Sequence, residues 1–93
     1  MLEETFLIYV RKIIYDKEVA IVTILFLSDK TIEAIFSDKI KILISQIKHK
    51  IEIINQDNKI SVVSTKNVFQ NSNIDFKERL KLIRAIIYKN ISN

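Results

Sequence analysis

Between Lys39 and Lys50 a short strip of hydrogen-bonding side chains is bordered by lysine pairs, and this stretch of the chain is the best equipped for chemistry. On a helix, where successive residues advance about 100°, Ile42, Ser45, Gln46 and His49 share one face. Lys41 and Lys48 lie on one flank of it, and Lys39 and Lys50 on the other. Ammonium groups gathered in this way are the electrostatic footprint of an anionic partner, although a solvated helix face carries the same pattern. Catalysis finds less support. The chain has one histidine, no cysteine and no glycine, so no nucleophile and base pair suggests itself and no glycine-rich loop can cradle a phosphate. Asp16 with Glu18, and Glu3 with Glu4, read as solvated helix-end charges. His49 has no second His or Cys to share a metal with. The expectation is a protein that is not an enzyme and carries no metal or cofactor.

The elements that must position this strip follow from composition and periodicity. Ninety-three residues with 48% apolar and 28% charged side chains make one small globular domain, of a size for which oligomerisation is a natural way to add core. Twenty isoleucines dominate the apolar set, and with neither glycine nor proline present every turn has to be made by Asn, Asp, Lys or Ser. Positive charge is unevenly spread. Residues 1–38 hold four Lys or Arg against seven acids (4 − 7 = −3), and residues 39–93 hold eleven against four (11 − 4 = +7).

Leu2, Phe6, Tyr9, Val10 and Ile13 fall on one helical stripe, which predicts an N-terminal helix over 1–17; Thr5–Val10 also fits a strand. The continuous apolar run Val19–Leu27 fits a buried helix and a buried strand alike by periodicity, and the elements that follow favour a helix over 19–29. Thr31–Phe36 is read as a short helix with Thr31 as its N-cap, Glu33 in its first turn and Ser37 or Asp38 capping the next. From 39 to 50 the stripe Ile40, Leu43, Ile44, Ile47 and Ile51 predicts a basic amphipathic helix. The competing strand, with Ile40, Ile42 and Ile44 alternating, leaves Ile47 and Ile51 unexplained. Ile51–Ile54 and Ile60–Val63 flank the polar Asn55–Lys59 and predict a hairpin over 51–64. Asn73 or Asp75 can cap a final helix over 70–93, in which Phe76, Leu80, Ile83 and Ile87 form one apolar row, and Leu82 and Ile86 a second. Two rows suggest packing against the N-terminal helix, a second subunit, or both. No internal repeat or linker is visible.

The order helix, short helix, basic helix, hairpin, long helix is that of a winged helix-turn-helix spanning 18–69, with a recognition helix at 39–50 and a wing at 51–64. The expected fold class is therefore mainly α with a β-hairpin, a winged helix-turn-helix with extra N- and C-terminal helices. The alternative is an α+β chain with a small antiparallel sheet. The run from Ile51 to Asn67, above all Ile51-Glu52-Ile53-Ile54 and Ser64-Thr65-Lys66-Asn67, resembles the wing of small archaeal winged-helix DNA-binding proteins related to the 10a-type chromatin proteins, and is similar to viral winged-helix proteins of this size. Asn58 and Asn67 stand where that family usually has glycine.

The resemblance implies a dimeric double-stranded DNA-binding protein, a transcriptional regulator or minor chromatin protein, with helix 39–50 in the major groove. Gln46, Ser45 and His49 would meet base edges and Ile42 a thymine methyl. Lys39, Lys41, Lys48 and Lys50 would bind phosphates, and Gln56, Asn58 and Lys59 on the wing would reach the backbone or minor groove. The C-terminal helix would dimerise through Phe76, Leu80, Leu82, Ile83, Ile86 and Ile87. The other reading is a protein-binding module on the same fold, a subunit or viral inhibitor of a nucleic-acid machine that does not itself bind DNA. The longest apolar run is about half of the roughly 20 residues a membrane helix needs, and the acidic start is unlike a secretory signal. With no cysteine present, a cytoplasmic location is expected, in the host cell if the chain is viral.

Overall fold

The computed structural model describes residues 8–17, 22–70 and 73–91. Among these, six strands form one antiparallel sheet: β1 (Val10–Asp16), β2 (Val22–Leu27), β3 (Thr31–Phe36), β4 (Lys41–Ser45), β5 (Lys50–Ile54) and β6 (Ile60–Ser64). Strand order in space equals strand order in the chain, so the sheet is a simple meander. A 3-10 segment, Thr65–Gln70, leads from β6 into one long helix, α1 (Ile74–Ile91).

A winged helix-turn-helix is therefore not what this chain forms. The segments expected to be helices at 1–17, 19–29, 31–36 and 39–50 are, where described, the strands β1, β2, β3 and β4 with its following turn. Residues 1–7 and 18–21, with Leu2 and Phe6 of the expected first stripe, lie outside the described residues. β-Branched side chains decide the matter, since Ile, Val and Thr lose rotamer freedom on a helix and pack well on a pleated surface. Ile47 and Ile51, the residues that argued for a helix at 39–50, have simple places in the sheet. Ile47 sits in the β4–β5 turn, and Ile51 lies directly across from Ile44 in the β4–β5 register. The wing survives only as β5 and β6, two of six strands, paired from Lys50↔Ser64 to Ile54↔Ile60.

The core lies between one face of the sheet and α1. Along the register, Ile14, Ile24, Ala34, Ile42, Ile53 and Ser61 form one cross-strand row, and Phe26, Ile32, Ile44, Ile51 and Val63 a second. Ile24, Ala34 and Ile42 are completely shielded from solvent, and burying each isoleucine contributes on the order of 2–3 kcal/mol. From the helix, Phe76, Ile83 and Ile86 are buried in the same cluster, while Leu80, Leu82 and Ile87 pack against it partly exposed. Both apolar rows of α1 are thus taken up by the chain's own sheet, which is where the six side chains expected at a dimer interface are found. Asn73 caps the helix, its Oδ1 accepting the Phe76 N–H at 3.1 Å.

Four tight turns are made without glycine. Lys30, Lys39, His49 and Asn58 all have positive φ, between 54° and 75°, the left-handed region that costs an ordinary L-residue about 1–2 kcal/mol. Three of them close the same hairpin loop: Lys30 N donates to Leu27 O (3.2 Å), Lys39 N to Phe36 O (3.0 Å) and Asn58 N to Asn55 O (2.9 Å). In two of them an aspartate braces the turn, Asp29 Oδ1 accepting from Thr31 N at 3.0 Å and Asp38 Oδ1 from Ile40 N at 3.3 Å. Ser28-Asp29-Lys30 and Ser37-Asp38-Lys39 are thus one turn used twice, a short repeat that helix caps were expected to occupy.

Candidate functional site: the open face of the sheet

Alternate side chains on a strand point to opposite faces, so the residues between the core positions form a second surface, which no described element covers. Its central row runs Ile13, Leu25, Glu33, Leu43, Glu52, Val62 across all six strands. Beside it runs Tyr15, Thr23, Ile35, Lys41, Ile54, Ile60. An antiparallel sheet with one wet face normally alternates apolar with polar. Here both faces are apolar. Ile13, Tyr15, Ile60 and Val62 remain 59–62% exposed, with Leu25, Ile35, Leu43 and Ile54 half-buried among them. An exposed apolar patch of this extent on a small chain marks an interaction surface.

At one end the face dips into a hollow of about 430 Å³ whose lining includes Ile8, Leu27, Leu43 and Ile47, with Lys50 and Glu52 at its edge. Ile47, two-thirds exposed in the β4–β5 turn, is one wall of this hollow. Ser45 Oγ accepts the Lys48 N–H at 3.2 Å and braces that turn.

The open face mixes both signs of charge. In and beside the two rows Lys41 and Lys50 stand against Glu33 and Glu52 (2 − 2 = 0), while Arg11 at the β1 bulge and Asp29 and Lys48 around the hollow add further charges of both signs. Lys50 and Glu52 pair with each other at 3.5 Å, whereas Glu33 and Lys41 form no ion pair among the described residues.

The eleven residues expected to contact DNA do not share a surface. Ile42 is wholly buried in the core between the sheet and α1. Lys41 and Lys50 point out from the open face. Lys39 occupies the β3–β4 turn, and Gln56, Asn58 and Lys59 the β5–β6 turn at the same end of the meander, where Lys59 lies 3.9 Å from Asp57. Ser45, Gln46, Lys48 and His49 are at the opposite end. His49 has a backbone role instead: its carbonyl accepts the Thr65 N–H (3.0 Å) and hydroxyl (3.3 Å), tying the turn to the 3-10 segment.

The strongest electrostatic cluster holds the helix on the sheet. Arg79 grips both carboxylate oxygens of Asp38 through its two terminal nitrogens and donates from Nε to Asp75 at 2.8 Å. Its guanidinium carbon stands 4.7 Å from the centre of the Phe36 ring. The hydrogen bond from Arg79 holds the Asp38 carboxyl below its ordinary pKa against a smaller opposing effect of burial, and the same bond raises Arg79. Sequence reasoning missed this cluster, because it joins a hairpin turn to a helix that starts 36 residues later. A signal was available only in the repeated Ser-Asp-Lys turn.

Among the described residues no three His, Cys, Asp or Glu side chains gather as a metal site requires, and no helix is long and apolar enough to cross a membrane. No protein-family model matches the chain, and no curated protein matches it in sequence.

Proposed function

We propose that the protein is an association module whose working surface is the open face of the sheet, and that the surface it takes is the same face of a second copy. The observation that carries this reading is the central cross-strand row, in which Ile13, Leu25, Leu43 and Val62 are apolar and covered by no described element, with Glu33 and Glu52 interleaved at β3 and β5. A face that interleaves both signs offers a polyanion no continuous cationic track and suits its own copy, since a twofold interface presents each patch to itself. Two sheets stacked in this way lie about 10 Å apart and interdigitate their inner side chains. Such a pairing gives a four-layer assembly, helix, sheet, sheet, helix, in which the half-buried leucines and isoleucines complete a second core. The groove-reading arrangement implied by the winged-helix resemblance has no recognition helix to carry it.

Sedimentation velocity across the micromolar range tests the proposal. A concentration-dependent monomer–dimer equilibrium is expected, and the double variant Leu43→Lys/Val62→Lys should sediment as a monomer with an unchanged far-ultraviolet circular dichroism spectrum. A wild-type chain that stays monomeric throughout, or a double variant that still dimerises, would overturn it.

A further inference from the structure

The solvent side of α1 is lopsided in charge, where the open face mixes both signs. Once Arg79 is set aside with its two aspartates, Lys77, Lys81 and Arg84 stand against Glu78 (3 − 1 = +2). Lys77, Lys81, Arg84 and Tyr88 follow one another at spacings of four, three and four, which places them on one stripe of the helix. The stripe runs about 16 Å along the axis. Lys81, Arg84 and Tyr88 are exposed, Tyr88 by 65%, and with Ala85 and Lys89 they line a shallow concavity of about 400 Å³. Among the described residues no carboxylate pairs with Lys77, Lys81 or Arg84.

Helix stability does not account for this placement. Cations favour the last turn, where carbonyls collect negative potential, and the effect fades beyond it. Lys89 is the basic residue of that turn. Lys77, Lys81 and Arg84 lie one to three turns earlier, where they repel one another.

We infer that this stripe binds single-stranded nucleic acid, with Lys77, Lys81 and Arg84 on phosphates and Tyr88 stacking on an unpaired base. Cations interleaved with an exposed aromatic are what an unpaired strand offers partners for, since its phosphates and its base faces are open together. In a duplex the bases are stacked on each other and only the phosphates remain. A polybasic helix can also meet an anionic membrane, but the stripe holds one large aliphatic side chain, Ile74 at its start, and a single one is too little to seat a helix in the acyl region.

Fluorescence anisotropy of a labelled single-stranded oligonucleotide, titrated at several salt concentrations, tests the inference. Binding that weakens with salt at a log–log slope of about −2 is expected for three phosphates neutralised on a single strand. Lys81→Glu/Arg84→Glu should weaken it at least tenfold, and Tyr88→Ala several-fold on single strands with no effect on a duplex. Lys48→Glu/Lys66→Glu makes the same change in net charge away from the helix and should alter affinity far less. Equal loss in the two double variants would mean that overall charge and not the stripe is responsible, and would overturn the inference. So would absence of binding at low salt, tighter binding to the duplex, or binding to phosphatidylserine vesicles without binding to the oligonucleotide.

Discussion

The two faces of the sheet are built from nearly the same residues and meet opposite fates. Ile42 and Leu43 are neighbours on β4, one sealed beneath α1 and the other looking out from the centre of an uncovered surface. Hydrophobicity alone does not separate them. What does is the helix, whose two apolar rows are just enough to cover one face, and the charges Glu33, Lys41, Lys50 and Glu52 in the middle strands of the other, where the covered face carries charge only on the edge strand, at Lys12 and Asp16. A sheet face becomes core when something in the same chain covers it. Otherwise it is a surface in search of cover.

The largest expected effect breaks this contrast at its sharpest point. Ile42→Lys would put an unpaired ammonium group beneath α1 and cost more than about 4 kcal/mol, most of the 5–10 kcal/mol typical of a small domain, so the variant should appear unfolded by circular dichroism. Leu43→Lys, one residue away, should cost the monomer about 1 kcal/mol or less in a urea titration. Comparable losses at the two positions would mean that the open face is not open.

A smaller effect concerns what keeps the cover in place. Arg79→Ala removes the grip on Asp38 and Asp75 and the contact with Phe36, and should cost about 1–2 kcal/mol, the half-exposed carboxylates limiting the charge contribution. The pH dependence has a definite sign. Because the folded-state pKa of Asp38 lies below its ordinary value of 3.8, its contribution is complete above that value and is lost as pH falls through the depressed one. Acid titration of stability should therefore show a shallower decline in Arg79→Ala than in the wild type.

The smallest effect has the opposite direction. The turns set the strand register, and a slip of one residue would exchange the two faces. Replacing Lys30 or Lys39 by glycine relieves the positive φ at each and should raise stability by about 0.5–1 kcal/mol. Asn58→Gly should do less, since asparagine tolerates that conformation. Thermal melts of the three single variants measure the ranking.

The last hairpin and the final helix were legible in the sequence, and the other four strands and the arrangement were not. The hairpin at Ile51–Val63, the Asn73 cap and the apolar rows of α1 all follow from spacing and turn chemistry within a few residues. The first four strands were hidden by a property of the open face itself. Where both faces are apolar the twofold alternation disappears, and Val22–Leu27 then reads the same as a buried helix. Ile40, Leu43, Ile44 and Ile47 even mimic a helical stripe, because a strand, a turn and the next strand place isoleucines at intervals near three and four. The need for Asn, Asp, Lys or Ser at the turns was visible in the absence of glycine, and Lys30, Lys39 and Asn58 fill it. His49 was read as a side chain facing a ligand, when it is a backbone bend. The charge asymmetry of the second half was equally visible, but its place on the solvent side of α1 depends on which helix exists.

A meander joins only neighbours, and this has a bearing on how quickly the chain folds. Each described hairpin closes a loop of a few residues, an event on the order of 1–10 μs for an isolated pair of strands, so the sheet can assemble by short-range steps alone. The helix is different, for Arg79 must find Asp38 across 41 positions of chain. Until it does, a nascent sheet presents two sticky faces in place of one. The rate of helix docking, more than the final stability, then governs how much of the newly made protein escapes aggregation.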